Sequence, residues 1–164
     1  MTDDREGMVV AAVGGDDRDA RFMRLALGEA EAARALGEVP IGCVVVKDDA
    51  VIASGHNLRE TRRDATRHAE IEAITHACAA VEAWRLEGCE LFVTLEPCLM
   101  CAGAIYQARV ARVVFGALDP KAGAMGSLYR VHEDVRLNHR LPVVGGVLAA
   151  ECGQILKDFF RARR

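Results

Sequence analysis

An α/β layered domain built on a mixed sheet is the fold class this sequence predicts, and three observations predict it. Apolar segments of strand period alternate with segments of helix period. A β-branched run early in the chain returns on itself through an Asp-Asp turn, which makes the sheet mixed. No internal repeat or long linker divides the 164 residues, a length suited to one domain with its own core.

In chain order, residues 1–17 are acidic, contain glycine and lack a sustained pattern; they are read as a mobile extension ahead of a single domain, 18–164. A helix is expected over 19–36, where Met23, Ala26, Leu27, Ala30 and Ala33 recur at three- and four-residue steps and Gly37 supplies the stop. IGCVVVK, the turn at 48–50 and VIAS read as a hairpin. Residues 55–67 are polar and read as a loop. A helix is expected from Thr66 through HAEIEAITHACAA, with Ala69, Ala73 and Ala77 on one stripe. ELFVTL is a strand ending near Pro97, a residue suited to the first turn of a helix through CLMCAGAIYQA. RVVFGA is a further strand, 119–127 a glycine-rich loop, PVVGGVL a short strand and CGQILKDFFRARR a closing helix. The two strand–helix–strand steps are expected to be right-handed crossovers that make neighbouring strands parallel.

Composition narrows the class. With 51% hydrophobic and 27% charged residues the chain has the balance of a soluble globular protein, and no apolar run approaches the roughly 18 residues of a membrane span. The N-terminus lacks the basic region and long apolar stretch of a secretory signal, so the expected location is the cytoplasm. The formal net charge of −3 does not exclude nucleic acid, because it is unevenly placed. Residues 1–20 carry a net −4, whereas KDFFRARR at the C-terminus carries +3. Six cysteines in a chain that is neither short nor evidently secreted do not suggest a disulfide framework; Cys43, Cys78, Cys89 and Cys152 read as small core residues.

Only Cys98 and Cys101 have a tight metal-type spacing. Three residues apart at a helix start, both sulfurs project from one face of the first turn, where the helix dipole favours thiolate. With no second CxxC, His68 at the start of another helix brings the protein ligands to three, the number found in catalytic zinc sites that keep a position for water. Glu70 cannot easily face the metal beside His68 and is better placed to move protons. A redox CxxC pair would leave His68-Ala69-Glu70 unexplained, and an inert zinc scaffold would have no need of Glu70. The order H-x-E…P-C-x-x-C is that of the zinc deaminases.

Beyond these motifs the chain resembles the tRNA-specific adenosine deaminases. The likeness runs from about residue 22 to 164 through GEVPIG (37–42), GHN (55–57), HAE (68–70), VTLEPCLMCAGA (93–104), VVFGALDPKAGAMGSL (113–128), LNHR (137–140) and KDFFRARR. It implies a three-layer cytidine-deaminase-like fold with a sheet of about five strands, one zinc per subunit on His68, Cys98 and Cys101, and Glu70 as proton shuttle. Asn57 would hydrogen-bond the flipped base, the backbone at Ala69 and Glu96 would meet the base or leaving amine, and Asp119 would lie near the ribose or RNA backbone. On its residues alone, Asp119 is equally a turn-former before Pro120. The resemblance further implies adenosine-to-inosine conversion at wobble position 34 of a tRNA anticodon stem-loop, tRNA-arginine in the first instance, by a homodimer with each site near the interface. Lys121, Arg130, Lys157, Arg161, Arg163 and Arg164 would be candidate phosphate contacts. The alternative is a deaminase of a free base or nucleoside of the guanine or cytosine type. Bacterial members usually read Asp-Pro-Thr-Ala before His-Ala-Glu, whereas residues 64–67 here are Asp-Ala-Thr-Arg, closer to the catalytic subunit of the eukaryotic two-subunit enzyme. Losing the proline is expected to loosen this loop, and Arg67 to add a charge near the pocket, with a partner subunit as the alternative to a homodimer.

Overall fold

A computed structural model describes residues 17–164. The acidic extension expected at the N-terminus lies outside these residues, except for Asp17, which opens the first helix. The elements are α1 (Asp17–Ala35), β1 (Gly42–Lys47), β2 (Ala50–His56), α2 (Arg59–Arg62), α3 (Ala69–Val81), β3 (Cys89–Leu95), α4 (Leu99–Gln107), β4 (Arg112–Ala117), β5 (Val143–Gly145) and α5 (Ala149–Ala162). The five strands form one sheet in the order β2-β1-β3-β4-β5. β1 pairs antiparallel with both β2 and β3, and the β3–β4 and β4–β5 pairs are parallel.

Alternate side chains along each strand face opposite layers. Cys43, Val45, Leu91, Val93, Val113 and Phe115 enter a core with Ala69, Ala73 and Ala77 of α3 and Ala102 and Ile105 of α4. Val44, Val46, Phe92 and Val114 enter a second core with Phe22, Met23 and Ala26 of α1 and Cys152 of α5. Apolar residues alternate yet are buried on both faces, so the central strands read as continuous hydrophobic runs. The domain has the three layers expected of it.

Small residues set how closely the layers approach. A Cβ on Gly42 would fall inside the Ala26 carbonyl of α1, and one on Gly55 would stand 2.6 Å from the backbone nitrogen of Ala73 on α3. The alanine stripes of α1 and α3 therefore seat backbone against backbone. The hairpin turns through Asp48 and Asp49, both at positive φ, the pair of conformations that a two-residue type I′ connection requires.

Three expectations are corrected. The first strand–helix–strand step does not produce neighbours, because β1 lies between β2 and β3. β2 already occupies one edge of β1, so β3 takes the other edge, where it runs parallel to β2 without touching it. The helix expected from Thr66 starts at Ala69, because the Asp64 carboxylate accepts hydrogen bonds from the Thr66 amide (2.9 Å) and hydroxyl (2.7 Å) and holds a turn. The polar loop over 55–67 contains one helical turn, α2, and its first two residues belong to β2.

At the start of β3 and β4 two arginines tie the layers together. Arg112 donates to Asp19 (2.6 Å) and Glu90 (2.8 Å), while Arg18 donates to Glu90 (2.6 Å) and Asp49 (2.6 Å). Asp19 is 4% exposed, and removal of Arg112 would leave its buried carboxylate with the Arg18 guanidinium at 3.7 Å in place of the two short Arg112 hydrogen bonds. Arg112→Met is expected to destabilise the fold by about 2–3 kcal/mol, seen as a fall of several degrees in Tm. An unchanged Tm would show that this network contributes little.

Candidate metal centre and active site

β2, β3 and β4 run in the same direction, so α3, which follows β2, and α4, which follows β3, both begin at the same end of the sheet. That is where open α/β sheets place their ligand crevices. His68 occupies the N-cap position of α3 and Cys98 that of α4, each with extended backbone and with its side chain unused for capping. Cys101, buried in the first turn of α4, completes the group. Pro97 precedes this cap instead of entering the helix, and its carbonyl accepts the Ala124 amide at 2.8 Å.

His68 Nδ1 lies 3.6 Å from Cys98 Sγ and 3.5 Å from Cys101 Sγ. All three donor atoms lie within 4.8 Å of one another. Tetrahedral zinc, with metal–nitrogen and metal–sulfur bonds near 2.0 and 2.3 Å, requires nitrogen–sulfur separations of about 3.6 Å. The side chains therefore fit zinc by both chemistry and spacing, and three protein donors leave a fourth position.

The electrostatics of the group favour ligation at Cys98 and oppose it at Cys101. The Cys98 sulfur is drawn down to about 4, first by the hydrogen bond from the Cys101 thiol and then, against the cost of burial, by His68. It is a thiolate at neutral pH, ready to ligate. The hydrogen bond to Cys98 is also the main reason that His68 is pushed up. Donation to Cys98 and burial push Cys101 the other way, so its proton is the one released when a metal binds. Glu70, in the first turn of α3, is 4% exposed, and burial pushes its carboxyl up to about 7. Its carboxylate is within hydrogen-bonding reach of the Cys101 thiol, beside the donor group. A carboxyl that titrates near neutrality beside a metal site is suited to taking and returning protons.

The other expected residues divide. Ala69 is buried at the first position of α3, between His68 and Glu70. Asn57 is buried: its amide donates to the Val39 carbonyl (3.3 Å), and its oxygen accepts from the Arg59 amide (3.2 Å). The next residue, Leu58, donates to the Arg67 carbonyl, which brings Asn57 to the entrance of α3. Asp119 serves the turn that its alternative reading proposed, accepting the Lys121 amide at 3.1 Å and the Ala122 amide at 3.3 Å. Lys121, Phe160, Lys157, Arg161, Arg163 and Arg164 line one cleft of about 680 Å³, whereas Arg130 is held by Glu133 in a two-pronged ion pair.

Sequence reasoning missed two supports. Glu38 is 1% exposed and its carboxylate accepts the Glu60 and Thr61 amides at 3.2 and 2.5 Å, fastening α2 beside Asn57. The GEVPIG match marked the segment without showing this partner. Arg67 is not a loose charge: it donates to Asp64 (3.1 Å) and to the buried Glu72 (3.3 Å). Arg67 thus ties the segment entering α3 to the Asp64 turn and to α3 itself.

Comparison with known proteins settles the relationship. The model of the MafB19-like deaminase family matches residues 17–164. The chain is 51% identical over 147 residues to the tRNA-specific adenosine deaminase of Bacillus subtilis (strain 168), covering 90% of this chain and 91% of that protein. The chain belongs to the tRNA-specific adenosine deaminase family. A solved structure from a study of A-to-I editing by tRNA:A34 deaminases superposes with a TM-score of 0.80 at 46% identity, covering 83% of this chain and 99% of that one. The guanine deaminase of Bacillus subtilis is a more partial likeness, with a TM-score of 0.57 at 42% identity over 60% of this chain and 63% of its own. The sheet order and flanking helices of this deaminase match the fold of the tRNA deaminase structure.

Purified from zinc-supplemented medium, this deaminase is expected to hold one zinc ion per chain, measured by atomic emission. Cys98→Ala should reduce the content below about a tenth while the far-ultraviolet circular dichroism stays native. Full zinc occupancy in that variant would remove Cys98 from the ligand set.

Proposed function

We propose that this protein deaminates adenosine to inosine at wobble position 34 of tRNA anticodons. The observation that carries the reading is the grouping of His68, Cys98 and Cys101 around a site flanked by buried Glu70, in a chain 51% identical to a tRNA-specific adenosine deaminase across nine-tenths of its length. Zinc held by these three side chains supplies the Lewis acidity that makes water nucleophilic near neutral pH. Glu70 accepts a proton from the attacking water and passes it to the ring nitrogen beside C6 of adenine. It then takes the remaining proton of the added hydroxyl and delivers it to the departing amine, so that water enters and ammonia leaves. Asn57 orients the flipped base from the α3 entrance, and the Ala69 backbone closes the pocket between ligand and shuttle. Asp119 acts through its turn, which presents the loop to the ribose and backbone.

The basic cleft supports an RNA substrate. Lys121 and Lys157 have no ion-pair partner among the described residues, and Phe160 offers an exposed ring between charges. An anticodon loop presents unstacked bases and phosphates to such a surface. The guanine deaminase likeness favours a second reading, a free base as substrate, though it spans only 60% of the chain. The finer parts of the proposal are tRNA-arginine as substrate, a homodimer with its sites near the interface, a cytoplasmic location and a single domain, 18–164, behind an acidic extension. No described helix is long and apolar enough to cross a membrane.

Inosine is expected at the wobble adenosine of a tRNA-arginine anticodon stem-loop, with no ammonia from adenosine, guanine or cytosine; the reverse pattern would establish the free-base reading. Glu70→Ala should keep its zinc and lose at least about a thousandfold in kcat. Zinc loss or normal turnover in that variant would sink the assigned role. Replacing Lys157 and Arg164 by alanine should raise KM and flatten its salt dependence by about 0.7 for each phosphate no longer neutralised, read from log KM against log salt concentration. A parallel line would place the RNA elsewhere.

A further inference from the structure

Glu96 stands two residues before Cys98 and is 2% exposed, yet it forms no ion pair within the described residues. Every hydrogen bond its side chain accepts comes from one loop. Oε1 accepts the Asp119 amide at 3.1 Å, Oε2 accepts the Met125 amide at 3.1 Å and the Ser127 amide at 3.0 Å, and the Ser127 hydroxyl donates to Oε1. The loop is wrapped so tightly that a Cβ on Gly123 would lie within the Glu96 carboxylate. Its backbone is joined to the same segment, through the Ala124 amide on the Pro97 carbonyl and a bridge between Gly123 and Cys98.

Residues 119–127 have no regular secondary structure beyond isolated bridges, and lie where β4 ends. A glycine-rich loop of this length has large conformational freedom, and a buried carboxylate that collects amides from both ends removes it. The same loop bears Asp119, whose carboxylate fixes the local turn, and Lys121, which lines the basic cleft with α5. Without its loop partners, Glu96 would be an unsatisfied buried charge, which drives the loop into a single register.

We propose that Glu96 is a positioning residue that couples the metal-bearing helix start to the tRNA-facing loop, setting Asp119 and Lys121 in register with Cys98. The proposal rests on the tRNA reading above for its kinetic consequence, and on the loop itself for its structural one. Because Cys98 and Cys101 are held by β3 and α4, Glu96 governs how substrate is held more than how fast the chemistry runs.

The experiment compares the full-length zinc-loaded protein with Glu96→Gln, whose amide cannot accept on both atoms. Zinc content, amide hydrogen exchange over 119–127, and KM and kcat on the anticodon stem-loop are measured together. The expected result is unchanged zinc, exchange at Asp119, Met125 and Ser127 at least about tenfold faster, and KM raised about tenfold with kcat held within about twofold. Unchanged exchange, an unchanged KM, or a fall in kcat at constant KM would each overturn the proposal. Should Glu96→Gln fail to fold, Ser127→Ala removes a single hydrogen bond; KM is then expected to rise about threefold and to return in Ser127→Thr, which restores the hydroxyl. No rise in Ser127→Ala overturns the proposal equally. If the wild-type protein leaves the stem-loop untouched, the tRNA reading falls, and the exchange measurement alone decides whether Glu96 sets the loop.

Discussion

The candidate metal centre needs three donors to arrive at one point from two separate helix starts, and most of the architecture follows from meeting that demand. His68 and the two cysteines are thirty or more residues apart in sequence. They meet because β2 and β3 run parallel with β1 between them, so that α3 and α4 begin at one rim of the sheet. The N-terminal turns bring unpaired amides and positive dipole ends to a place where thiolates and a carboxylate must be tolerated. Gly55 and the alanine stripe seat α3 against β2, and Ala102 with Ile105 seats α4 on the same core, at donor spacings within zinc geometry.

Glu70 shows how burial and function are joined here. Its first-turn position on α3 packs it beside the candidate metal group, where desolvation lifts its carboxyl towards neutrality while its own backbone amide, His68 and Cys101 restrain the rise. A solvated carboxylate would be a poor proton shuttle because it would stay ionised. In the proposed reaction, the burial that is costly to the fold is what suits Glu70 to carry protons.

Much of this was legible from residues alone. Helix period located the four long helices and short apolar, β-branched runs the five strands, because the helices bury one face and the central strands both. The exceptions share a cause. Asp64 captures the Thr66 amide and hydroxyl and delays α3, and β1 intervenes between β2 and β3 because an edge was already taken. Both outcomes depend on competition between partners, which periodicity does not register. The donor group was legible because a single CxxC at a helix start, joined by a histidine at another, is the spacing a small ion would require. The supporting carboxylates were not: Glu38 and Glu96 serve backbone amides more than twenty residues away, and an amide carries no residue-specific mark in sequence. Arg67 was visible as a departure, but its role depends on Glu72, one turn into the next helix.

The ion-pair network of Arg18, Arg112, Asp19 and Glu90 sits where β3 and β4 begin, whereas the metal group sits beyond their ends. Five residues of β3 separate the two, about 17 Å of extended chain. At such a distance the free energies of substitutions at the two ends combine independently. The end of the sheet that carries the chemistry can therefore accumulate costly features, buried acid and crowded loop alike, while the opposite end supplies compensating stability. A lineage or an engineer can retune the substrate rim without renegotiating the catalytic residues, provided the distal network is kept intact or strengthened.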